Sequence, residues 1–165
     1  MKFKNIGVLL LILLLFISLG FLLVNNSSSL EKKLCKELSQ DGVNCTEIIF
    51  IDTFNNLVFF KDEINLRYAI VNSDLSLVKV ETGILDFNGF SANNSLIWQA
   101  SNTLLWGFAT EEVQSILITG DHDIQPNKIR YQGVWLWYHI YEGEVKLPVL
   151  LNAYNKEGTL IYGKE

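Results

Sequence analysis

Residues 134–141 read VWLWYHIY, and how that run is seated decides the fold. In a strand, successive side chains point to opposite faces. Val134, Leu136, Tyr138 and Ile140 then share one face, and Trp135, Trp137, His139 and Tyr141 share the other. Two readings follow. A strand covered on both faces buries the whole run as core, which suits a near-continuous apolar sequence. A strand covered on one face leaves Trp135, Trp137, His139 and Tyr141 as a flat amphipathic platform on which a sugar ring or a peptide stacks. These four are the candidate binding residues.

The flanking segments carry strand signals too. EIIFIDT and NLVFFKD flank Asn55-Asn56, a tight-turn pair, and LRYAIVNS and LVKVETGILDF flank Asn72-Ser73-Asp74. Residues 87–94 (FNGFSANN) are a loop by composition. SLIW, LLWGF, VQSILIT, KIRYQGVWLWYHIY, KLPVLLNAY and TLIYGK follow, with turns at Glu142-Gly143-Glu144 and at 155–158. Before all of these, Ser28-Ser29-Leu30-Glu31 has the capping-box form, and Leu30, Leu34 and Leu38 recur every four residues. That spacing predicts a one-sided helix ending near Asp41-Gly42, too short to stand without docking. One amphipathic helix before many strands predicts an α+β domain over 30–165, mostly antiparallel β-sheet. Its sheets either share one core or form two β lobes meeting near 95–110.

The amino-terminal segment reads differently. Ile6 to Val24 is a run of 19 residues without a charge. As a helix it would be roughly 28 Å long, close to the ~30 Å hydrocarbon core of a bilayer. The expected order is a cytoplasmic tail over 1–5, a transmembrane signal-anchor over 6–24 and a polar linker over 25–29. The alternative is a cleaved signal peptide and a secreted domain, but the apolar run continues past Ser18-Leu19-Gly20, where cleavage would fall. Lys2 and Lys4 crowd the short tail, which predicts tail inside and domain outside. Without those two lysines, 11 basic residues face 18 acidic ones, a balance of −7. That excess argues against nucleic acid or anionic headgroups as partners, since both reward a basic surface.

Chemistry-bearing motifs are sparse. Cys35 and Cys45 are the only cysteines, and in an oxidising compartment they can pair and tie the helix to the first strand. In the loop-entropy account so small a ring contributes roughly 3 kcal/mol. The alternative is two buried thiols that never meet. Gly120-Asp121-His122-Asp123 sets an imidazole between carboxylates, yet a catalytic zinc needs three protein ligands, and two His and two Cys lie far apart in the chain. A solvated turn is the expected reading there, and a half-buried, hydrogen-bonded side chain is the expected one for His139. No nucleophile elbow, phosphate-binding glycine loop, H-E-x-x-H or calcium loop occurs, so neither a cofactor nor a metal is expected.

The layout resembles a group of small membrane-anchored extracytoplasmic proteins of Gram-positive bacilli. The residues that carry this are a strand pair like EIIFIDTFNNLVFFKD, a segment like NLRYAIVN, and a closing block from Trp106-Gly107-Phe108 through VQSILIT and VWLWYHIY to LLNAYNKEGTLIYG. The resemblance implies an exported domain behind an anchor and supplies no catalytic residues. The expected function is binding of an envelope protein, peptide or glycan, with the bilayer as partner for 6–24. The rivals are a small extracytoplasmic hydrolase using Asp121, His122 or His139, and an accessory subunit of a membrane complex.

Overall fold

The computed structural model of the chain describes residues 30–40, 42–80, 83–86, 90, 94–120 and 123–164. Its first layer is one helix, α1 (30–40). Leu34 and Leu38 of its apolar stripe are buried, and Leu30 packs beside them. The helix stops in a Schellman motif: Val43 N–H donates to the Leu38 carbonyl, Gly42 N–H donates to that of Ser39, and Gly42 takes φ +80°. Cys35 and Cys45 are joined as a disulfide with their Cα atoms 5.1 Å apart, tying α1 to the lead-in of the first strand.

Beneath α1 lies a first sheet. It comprises β1 (Glu47–Asp52), β2 (Leu57–Lys61), β3 (Asn65–Val71) and β4 (Leu77–Val80) in that order, with β5 (Leu85–Asp86) also paired to β3. Every pairing is antiparallel. LVFFK and NLRYAIV are apolar on both faces because both faces are covered. Val58, Phe60, Ala69 and Val71 meet the helix, and Leu57, Phe59, Leu66 and Tyr68 point the other way.

Those inward residues meet the middle sheet, built from β6 (Leu96–Ala100), β7 (Leu104–Thr110), β10 (Val134–Ile140) and β9 (Asn127–Tyr131) in the order β6-β7-β10-β9. Leu104, Trp106, Phe108, Leu136 and Tyr138 pack on the first sheet. Leu105, Ala109 and Trp137 pack the other way, on Ile116, Ile118, Leu151 and Ala153 of a third sheet. That sheet is β12 (Leu160–Tyr162), β11 (Leu150–Tyr154) and β8 (Ser115–Thr119), again antiparallel. The described residues thus stack as helix, sheet, sheet, sheet. Residues 95–110, expected where two lobes would meet, form β6 and β7 inside the middle layer.

Two segments break where the sequence reads as continuous. KIRYQGVWLWYHIY folds back as a β9–β10 hairpin, because Gln132 and Gly133 take φ 46° and 81°, the signs that a two-residue type I′ turn demands. LVKVETGILDF divides into β4 and β5, both beside β3. The expected class, one amphipathic helix and mostly antiparallel sheet, is what the described residues form. Among the described residues no helix is long and apolar enough to cross a membrane, and 6–24 lies outside them.

Gly107 is the tightest point of the middle sheet. It pairs with Trp98 on one side and Trp137 on the other. A Cβ there would collide with the Ile97 carbonyl oxygen and stand 2.9 Å from Trp98 Cα. Both obstacles are backbone, so β6 would have to move. Gly107→Ala is expected to lower unfolding free energy by about 3 kcal/mol or more. Gly143→Ala, where a Cβ meets nothing within 4 Å, should stay within about 0.5 kcal/mol. Denaturant unfolding of the two variants reads the difference.

Candidate functional site

β10 carries three of the four residues singled out above, Tyr141 directly follows it, and the structure separates them. Trp137 is fully buried between the middle and third sheets, where its indole Nε1 has no hydrogen-bond partner. Trp135 is half-buried toward one end, with the Lys128 ammonium 4.9 Å from its ring centre. His139 and Tyr141 are half-buried toward the other, their rings edge to face at 4.6 Å. Trp137 therefore offers no surface to a ligand, and what remains accessible is two separate ends of one strand.

The Tyr141 end opens into a cleft of about 440 Å³ between the end of β8 and the 141–149 loop. Tyr141 forms one wall, Ile118 and Ile124 supply apolar surface, Pro148 and Val149 close the rim, and Glu144 and Lys146 bring opposite charges to it. The loop 141–149 is pinned rather than free. Tyr141 N–H donates to the Thr103 carbonyl and Val145 N–H donates to that of Asn102. Opposite, β8 ends at Thr119, and Ile118 and Ile124 exchange backbone hydrogen bonds that hold Ile124 to it. Burial pushes the His139 imidazole below its ordinary value, so the ring behind Tyr141 is neutral near pH 7 and acts as packing. The sequence reads Glu144 only as part of a turn, and Lys146 and Val149 as part of a strand in KLPVLLNAY. Pro148 was the available signal, since proline ends or edges a strand.

A second polar cluster ties the first sheet to the middle one. Tyr138 donates to Asp52 Oδ2 at 2.6 Å and Tyr131 donates to Glu47 Oε2 at 3.0 Å. Glu47 and Asp52 are five apart, an odd spacing that puts side chains on opposite faces of a regular strand. A bulge between Ile48 and Phe50 restores them to one face, and Ile49 and Phe50 both pack inward as a result. Asp52 also accepts from Phe54 N–H, Asn55 N–H and Asn55 Nδ2. With Tyr138 these make four donors for about four lone-pair sites, so the carboxylate is a saturated tie and no general base. Burial alone would raise its pKa, but hydrogen bonds from Asn55, Tyr138 and Phe54 outweigh that and hold it below the usual carboxylate range.

Asp121 and His122 lie outside the described residues; Asp123 is exposed. Among the described residues no group of three metal-ligating side chains occurs. Comparison of the chain with protein-family models, with curated proteins and with solved structures gives no match.

Burial first, then the hydrogen bond and charge of Asp52, keep Tyr138 protonated well above the ordinary tyrosine range. In the unfolded chain it ionises near 10.0. Its contribution is thus fully present below that value and is lost as pH rises toward the folded one. Tyr138→Phe should cost about 1.5–3 kcal/mol at neutral pH. It should also flatten the fall of stability between about pH 9 and about pH 11. Thermal unfolding across that range checks both, and an unchanged alkaline slope would contradict the assignment.

Proposed function

We propose that the chain is a single-pass membrane protein, anchored by residues 6–24, whose 30–165 domain stands outside the membrane and binds a peptide or glycan of the cell envelope. The observation that carries this reading is the cleft beside Tyr141. Its size and make-up suit a ligand site: mostly apolar walls, one aromatic face and a few polar groups that orient what enters. Glu144 and Lys146 on one loop offer an acceptor and a donor within the same opening. The Cys35–Cys45 disulfide supports an oxidising compartment, hence export. The domain works by recognition and uses no cofactor.

The test is to titrate the full chain in detergent with peptide and wall-glycan fragments, following backbone amide shifts. Shifts should gather on 118–120, 124 and 141–149. For whichever fragment binds, Tyr141→Ala should weaken affinity by about thirtyfold, as loss of a central aromatic anchor does. Lys156→Ala, in the exposed turn between β11 and β12, should leave it unchanged. Binding that centres elsewhere, or that survives Tyr141→Ala, would sink the cleft reading.

A further inference from the structure

The two most exposed large apolar side chains among the described residues, Phe54 at 92% and Leu147 at 68%, lie at one end of the stack. β1 runs to that end and finishes at Asp52, so the 53–56 turn carrying Phe54 projects from it. β10 reaches the same end, since Tyr138 bonds Asp52 and the strand finishes two residues later. The following loop, pinned to Asn102 and Thr103, carries Leu147. α1 begins there too, since Leu30 joins the cluster containing Ile51 and Leu75. The far end holds the Gln132–Gly133 turn, where Tyr131 meets Glu47 at the start of β1.

The chain therefore enters the described domain at the Phe54 and Leu147 end. From Val24, the end of the apolar run, to Leu30 is six residue steps, a reach of at most about 20 Å.

We propose that this end of the domain rests on the surface of the lipid bilayer, with Phe54 and Leu147 inserted at the headgroup boundary. The inference rests on reading 6–24 as an anchor. Single large apolar side chains at the tips of turns from different sheets do not form the contiguous patch that a protein partner covers. They do suit an interface that each tip enters separately, its affinity growing with the apolar area inserted. Three basic residues (Lys32, Lys33, Lys146) against four acidic ones (Glu31, Asp74, Glu142, Glu144) give this end no basic excess, so the lipid it fits is zwitterionic rather than anionic.

The experiment places the full chain in phosphatidylcholine nanodiscs, with and without bromine on the acyl chains near the glycerol. Phe54→Trp and Leu147→Trp report the near end, and Ile64→Trp reports the β2–β3 turn at the far end. The emission added by the first two should be blue-shifted and largely lost in brominated discs. That added by Ile64→Trp should persist there and be quenched by acrylamide in water. If the chain co-migrates with the discs yet all three variants emit as in water, the docking is overturned and the anchor stands. If the chain does not co-migrate with the discs, the anchor and the docking fall together.

Discussion

The centre of the middle sheet, where β7 pairs with β10, has no face toward water, and the rest of the fold answers to that constraint. β7 and β10 lie side by side over seven residue pairs and bury Trp106, Phe108, Leu136 and Trp137 completely. A strand with large apolar groups on both sides is stable only between two covering layers. The first sheet covers one side and the third sheet the other. The first sheet, rich in Val, Phe and Leu on its own outer face, needs α1 in turn. Layer order thus follows from which strands are apolar twice over.

Polar contacts between these layers settle alignment rather than cohesion. A sheet on a sheet can slide, because dispersion and the hydrophobic effect are nearly indifferent to small shifts. The Tyr138–Asp52 and Tyr131–Glu47 bonds fall at opposite ends of β1 and set the first sheet against the middle one at two points. The bulge at Ile49–Phe50 is what allows one strand to make both. It also places two neighbouring apolar residues on the same side, which fills the space beside Tyr138 with Phe50. Alignment of these layers positions the loop after β10, and with it Tyr141 and the cleft.

Much of this was legible and some was not, for identifiable reasons. The alternation in VWLWYHIY sorted its side chains correctly into two faces, and the four-residue rhythm of Leu30, Leu34 and Leu38 marked the docked helix. Which face meets solvent could not be read, since that depends on sheets formed far away in the chain. EIIFID has four apolar residues in a row, so nothing in it betrays a bulge. Gln132-Gly133 hid a hairpin because glutamine is an unusual first residue for a type I′ turn. The cleft went unseen because its walls come from the end of β8 and from a loop more than twenty residues further on, brought together only by folding.

Strands β7 and β10, covered on both sides, open only when the layers separate. Residue-resolved amide hydrogen exchange on the full chain tests it most directly. Amides of 105–108 and 136–138 should exchange last, at a free energy equal to global unfolding, after those of β4 and β12 at the sheet edges. Exchange in β10 as fast as in β4 or β12 would contradict it.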